Sequence, residues 1–214
     1  MHAYLNHPAI VAFLAPLLAA LLTAELFQRL RLSGLSILAG FALTVFLISD
    51  FAYAPLTATR KIIWLGIASG ALALPITLVN WAIWRPILAT LAASAAVWVL
   101  LHALQQQILP TAMLWGISYA LFSGWLVFWM DTLQDDPVRA ASAGTALGLG
   151  TAAALLIAGY GLLGKLNLAV GAAALAYLFI LFVSNSLLSC GRTFTLPLAI
   201  ISALSASVAA IAGN

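Results

Sequence analysis

The side chains able to do chemistry are few. In 214 residues there are five Asp and Glu, eight Lys and Arg, three His and one Cys. Three of the carboxylates stand together in "MDTLQDDPVRA": Asp131, Asp135 and Asp136, followed by Arg139. Carboxylates at this spacing can hold Mg²⁺, a hard cation that takes oxygen ligands. Asp136 before Pro137 also has the form of a helix N-cap with proline at the first helical position. The capping role is the simpler expectation.

Glu25 and Asp50 are the other two carboxylates. Glu25 lies about a turn inside an apolar stretch and four residues before Arg29, a spacing that lets the two pair on one helix face. Ionisable groups in such stretches are costly and commonly functional. Asp50 opens "DFAYAPLTATRK", where it can join Arg60 and Lys61 in a gate or docking site. Asn80 and Asn185, the latter beside Ser184, are polar groups that glue helices or line a path. Glu25, Asp50, Asn80 and Asn185 are therefore the candidate path-lining or coupling residues.

Cofactor chemistry finds little support. Cys190 is the only cysteine, so no intrachain disulfide and no Cys-rich metal site can form. His2 and His7 precede the first apolar stretch and only His102 lies within one, which argues against a bis-histidine haem. Lys61 and Lys165 fall at the ends of apolar stretches, where a retinal Schiff base has no place. No cofactor is expected, with Mg²⁺ required only if the acidic segment is enzymatic.

The elements that must position these residues follow from composition. Hydrophobic residues make up 65% of the chain and charged residues 6%, against about 25% charged in soluble domains. Too few polar side chains exist to cover a water-facing surface, so lipid is the solvent. Its apolar runs are long and continuous rather than alternating, which selects helices over a barrel. The fold class is an all-α integral membrane protein, a single polytopic bundle of about eight transmembrane helices with short loops. One helical domain spans residues 1–214. Helices are expected at 8–28, 33–52, 61–81, 86–105, 108–130, 138–160, 166–188 and 194–213, each near the ~20 residues that cross a bilayer. The first lacks a basic n-region and reads as a retained span. The last is rich in Ala and Ser and has the weakest insertion signal. Short links, among them Gly161 to Lys165, imply that consecutive helices are antiparallel neighbours.

Within these helices Gly66 and Gly70, and Gly144 and Gly148, form G-x-x-x-G pairs that allow close backbone approach. Trp115, Tyr119, Phe122 and Trp129 form an aromatic surface on helix five. This surface faces lipid, fills space beside glycine-rich helix six, or holds a flat ligand or partner. Pro16 and Pro75 interrupt helices one and three, and either kinks its helix or exposes backbone to a path.

Enzyme templates fit poorly. "ASGA" (68–71) resembles the serine motif of the rhomboid intramembrane proteases, but the only candidate partner for Ser69 is His102, on the next helix rather than a later one. The acidic segment is similar only in outline to those of membrane prenyl- and phosphatidyltransferases, and it lacks the Asp-Gly-x-x-Ala-Arg core and a second Asp-rich motif.

The chain carries a net charge of +3 and no basic cluster of the kind that grips nucleic acid. Five cations (Arg29, Arg31, Arg85, Arg139, Arg192) against three (Arg60, Lys61, Lys165) place both termini outside by the positive-inside bias. Short loops and low charge suit a bacterial inner membrane. The expected partners are the lipid bilayer and a second copy or a membrane-complex subunit. The leading function is a transporter or permease for a small solute or lipid, its path between kinked helix one, helix three and helix six. A non-catalytic subunit of a larger membrane complex comes second and a lipid-active enzyme third.

Overall fold

A computed structural model describes residues 10–27, 34–48, 55–78, 82–184 and 190–213. Among these residues there is no strand, and the fold is an all-α bundle. Its helices are α1 (Ile10–Phe27, with Ile10–Leu14 π-helical), α2 (Leu35–Ile48), α3 (Ala58–Leu78), α4 (Trp84–Gln105), α5 (Leu109–Thr132), α6 (Pro137–Ile157), α7 (Gly161–Ser184) and α8 (Gly191–Ala212). All but α2 are 18–24 residues long in their apolar part, long enough to cross a membrane. The chain is an integral membrane bundle. Its π-helical start leads directly to Pro16, whose missing N–H removes one rung of the α-helical ladder.

The helices alternate in direction. Gly66 on α3 meets Ile201 on α8, and Arg192 at the start of α8 reaches Ile76 near the end of α3. Gly148 on α6 meets Gly171 on α7, and Gly124 on α5 meets Ala89 on α4. We call the side where α1 begins the N-side and the opposite side the far side.

The last helix is the centre of the molecule. α8 packs against α2, α3, α4, α5, α6 and α7, and every residue from Arg192 to Ser205 is buried. Contrary to expectation, α8 is not the least apolar span, being more apolar than α3, α5 and α6, and its small Ala and Ser side chains allow the close approach that a helix surrounded by protein needs. Consecutive helices are not always close neighbours, contrary to expectation. α1–α2, α4–α5 and α6–α7 form tight hairpins, whereas α2–α3, α3–α4 and α7–α8 touch only lightly. The place between α3 and its chain neighbours is taken by α8.

A second difference lies at Gly161 to Lys165, which belong to α7 and not to a loop. The turn comes earlier. Gly159 adopts φ 86°, Tyr160 N–H donates to Leu155 O at 2.8 Å, and Gly159 N–H donates to Leu156 O at 3.2 Å. This is a Schellman motif, which needs a left-handed residue where only glycine is unstrained.

The G-x-x-x-G pairs lie at close crossings. A Cβ on Gly148 would lie 2.6 Å from the Gly171 Cα, and one on Gly144 would lie 2.6 Å from Leu198 Cδ1. Gly66 and Gly70 receive Ile201 and Leu38 in the same way.

Candidate functional site

Three charged residues far apart in sequence converge at the far side. Asp131 is the penultimate residue of α5, Arg192 the second of α8 and Arg85 the second of α4. Arg192 Nε donates to Asp131 Oδ1 at 2.8 Å and its Nη2 donates to Oδ2 at 3.4 Å. Arg85 Nε donates to the same Oδ2 at 3.3 Å. The third nitrogen of Arg192, Nη1, donates to the backbone O of Ile76 on α3 at 3.4 Å. Arg192 is 1% exposed and Asp131 3%, whereas the Arg85 side chain is about a third exposed and lies over the Phe128 ring at 5.8 Å. The carboxylate thus ties three helices together, and Arg192 adds α3 as a fourth.

Helix dipoles do not explain this placement. Cations near helix N-termini and an anion near a helix C-terminus are on the unfavourable ends. Asp131 holds both cations, and the set carries one cation more than it has anions. The surroundings are tight: a Cβ on Gly34 would collide with Cys190 O and Thr193 Oγ1, and Gly191, at φ 61°, donates its N–H to Gln134 O at 3.3 Å.

A line of hydroxyls runs up α8 from this knot. Thr195, Ser202 and Ser205 are each at most 1% exposed, and their oxygens have no hydrogen-bond partner among the described residues. That is unusual for hydroxyls in apolar helices, which commonly bond back to a carbonyl one turn earlier. Ser207, Thr145, Thr77 and Thr44 do so here. The three unpartnered hydroxyls fall within about 80° of arc on α8 at 3.6 residues per turn. Pro197, between them, has no N–H and leaves the carbonyl of Thr193 without its usual donor. Ser123 Oγ on α5 and Asn167 Oδ1 on α7 are further buried oxygens without a partner.

The same face of α8 continues to the N-side as Ala206, Ala209 and Gly213. There it forms one wall of a cleft of about 510 Å³, with Thr151, Ala154 and Tyr160 on the α6 side. A second N-side cleft of about 490 Å³ lies between α3, α4 and the end of α8, lined by Lys61, His102, Gln106 and Ile211. Lys61 Nζ donates to Trp98 O at 2.9 Å. The bundle therefore carries clefts around the end of α8 on the N-side, is close-packed along α8 from Ser205 to Arg192, and carries the ion knot at the far side.

The residues expected from sequence are dispersed. Glu25 is exposed on α1, which packs on α2 and α7 and not on α8, so neither Glu25 nor α1 lines the interior of the bundle. Asp50, Asn80 and Asn185 lie outside the described residues. The acidic cluster is split: Asp131 belongs to the knot, Asp135 is exposed, and Asp136 Oδ1 accepts the N–H of Arg139 at 3.1 Å as the N-cap of α6. Asp136 Oδ2 pairs with Arg139 Nε at 3.1 Å. No group of three His, Cys, Asp or Glu among the described residues is arranged to hold a metal, because the turn between α5 and α6 points these carboxylates apart.

Ser69 donates to Gly66 O at 2.7 Å and His102 pairs with Gln106 at 3.4 Å, so they form no dyad. On α5, Trp115 and Tyr119 stack at 5.5 Å, and Phe122 and Trp129 are exposed on the outer face. α5 makes no extensive contact with α6, and the space beside the α6 glycines is filled by α7 and α8 instead.

Sequence reading missed Arg192, which was counted as a loop cation, and the hydroxyls of α8. The signal was present for the hydroxyls, since Thr195, Ser202 and Ser205 share a helical face, whereas Asp131 and Arg192 fall one and two residues outside the expected helices 108–130 and 194–213 and lie inside α5 and α8. The chain matches no protein-family model, no curated protein and no solved structure.

Proposed function

We propose that the chain is a small-solute transporter whose path runs along α8 on its α6-facing side. The observation that supports this is the succession of three features along one face of α8: an N-side cleft ending at Ala206, buried unpartnered hydroxyls at Ser205, Ser202 and Thr195, and the ion knot at the far end. A buried hydroxyl without a partner costs about 1–3 kcal/mol, a cost that is recovered when a polar solute or water supplies the missing bond. Gly150, with nothing within 4 Å of an added Cβ, leaves slack on α6 beside the cleft. Breaking and remaking a few ion-pair contacts at the knot is a two-state change of the kind that alternate access requires. A bacterial inner membrane, with both termini outside, is the setting proposed for it.

Cysteine accessibility tests this without knowledge of the solute. In a Cys190→Ala background, Ala209→Cys, Ala206→Cys and Ser202→Cys are treated in proteoliposomes with the neutral, water-soluble hydroxyethyl methanethiosulfonate. Reaction is expected at all three, slowing with depth. Ile201→Cys, on the face that meets Gly66, is expected to stay unreacted. Equal protection of Ser202→Cys and Ile201→Cys would refute a path.

A second function is favoured by one observation. α5 is the least buried of the seven long spans, and Trp125, Trp129 and Phe122 stand on its outer face. A subunit of a larger membrane complex would use such a face for docking. Native mass spectrometry of gently extracted protein distinguishes the two: a stoichiometric partner lost on replacing Trp125 and Trp129 by Leu supports the subunit, and a partner-free species supports the transporter.

A further inference from the structure

We infer that the path along α8 selects small oxyanions, such as a short carboxylate, and that the excess positive charge of the Arg85–Asp131–Arg192 knot sets this selectivity. This deepens the transport proposal and rests on it.

Three observations converge. The knot holds two guanidinium groups against one carboxylate, so its net charge is +1, and Arg192 is 1% exposed. The excess belongs formally to Arg85, whose side chain is about a third exposed, so water screens it in part and the remainder acts along the buried start of α8. Next, among the described residues the N-side carries Arg60, Lys61 and Lys165 and no carboxylate, since Glu25, Asp131, Asp135 and Asp136 all belong to the far side. The sequence adds one acidic residue between α2 and α3, Asp50, which leaves the N-side cationic. A cationic face concentrates anions beside the entrance, while the lining of the α6–α8 cleft itself is uncharged. Finally, the groups between mouth and knot are hydroxyls, which donate to an anion without a charge of their own. No described carboxylate lies at midspan to bind a cation.

The receiving group is Arg192. Its two bonds to Asp131 use the fork geometry that also recognises a carboxylate on a solute. Arg85 already shares Oδ2 of Asp131. When Asp131 passes wholly to Arg85, the fork of Arg192 is freed toward Thr195, one turn along α8. The arriving oxyanion then takes the place of the departing carboxylate, and no unpaired charge is left in the interior at any stage.

The test compares two thiol reagents of opposite charge, sulfonatoethyl (anionic) and trimethylammonioethyl (cationic) methanethiosulfonate, at Ser202→Cys in the Cys190→Ala protein in proteoliposomes. Rates are divided by those for a free thiol in solution. Ser202 is ten residues from Arg192, about 15 Å along the helix. At that distance one uncompensated charge is expected to favour the anionic reagent about tenfold or more. Arg85→Gln leaves the Asp131–Arg192 pair neutral, so the ratio of anionic to cationic rates, each divided by the neutral hydroxyethyl rate in the same variant, should fall toward one. If Ser202→Cys does not fold, Ala206→Cys carries the same comparison from within the cleft.

A ratio near or below one overturns the inference and leaves the path standing. So does reaction with the neutral reagent alone, or a preference that survives Arg85→Gln. Failure of the neutral reagent at Ser202→Cys removes the path itself, and the inference with it.

Discussion

Asp131 and Arg192, on α5 and α8, form a two-point ion pair at 2.8 and 3.4 Å with both side chains nearly inaccessible. The pair joins the most buried helix of the bundle to its least buried long span. Such a pair is rarely the cheapest way to fill space, because desolvating two ions commonly costs as much as their attraction returns. A hydrophobic pair would serve packing as well, and the charges fit the switching role proposed for the knot.

Removing one member should be more harmful than removing both. Asp131→Asn or Arg192→Leu leaves a buried charge without its main partner and should destabilise the protein by about 3–5 kcal/mol. Asp131→Leu combined with Arg192→Leu should cost less than either single change, since Arg85 is about a third exposed and can turn to solvent. Thermal unfolding in mild detergent measures the three variants. A double variant weaker than both singles would mean that the knot is a structural staple.

Two glycines on α6 should respond in opposite ways. Gly148→Ala would drive a methyl to within 2.6 Å of the Gly171 Cα, a backbone atom that cannot turn aside, and should cost about 1–3 kcal/mol. Gly150 has nothing within 4 Å of an added Cβ, so Gly150→Ala should be neutral or stabilising by up to about 1 kcal/mol. Unfolding midpoints of the two variants check the contrast.

Cys190 should be inert in the folded protein. Burial pushes its thiol well above the ordinary value, and the thiolate is the reactive form. It stays protonated at pH 8, and its sulfur is also covered, being 2% exposed as a residue. Labelling with a chromogenic disulfide at pH 8 should be slow in detergent and fast after denaturation. Rapid labelling of folded protein would show that the far-side end of α8 opens readily.

Fold class was legible in the sequence because solvent dictates it: 6% charged residues cannot face water, and continuous apolar runs cannot be barrel strands. Helix positions followed from span length, within a few residues. Neighbour relations did not, because a short loop constrains where a helix starts and says nothing about which face it buries. α8 illustrates this. Its Ala and Ser content read as weak insertion, yet the same residues let six helices close around it. The site was half visible. Asp131 was noticed for the wrong company, grouped with Asp135 and Asp136 by sequence distance, when its partners stand 46 and 61 residues away. Glu25 was weighted by its charge alone, and only its helix's packing shows that it faces outward.

The measurement closest to the central claim asks from which side Ser202→Cys can be reached. In the Cys190→Ala background, proteoliposomes of known orientation are treated with a membrane-impermeant thiol reagent added inside or outside. With the knot intact, labelling is expected from the N-side only. With Asp131→Ala and Arg192→Ala together, which leave the space of the knot unfilled, labelling is expected from both sides. Labelling from the far side with the knot intact, or no change when the knot is removed, would contradict a path gated by Asp131 and Arg192.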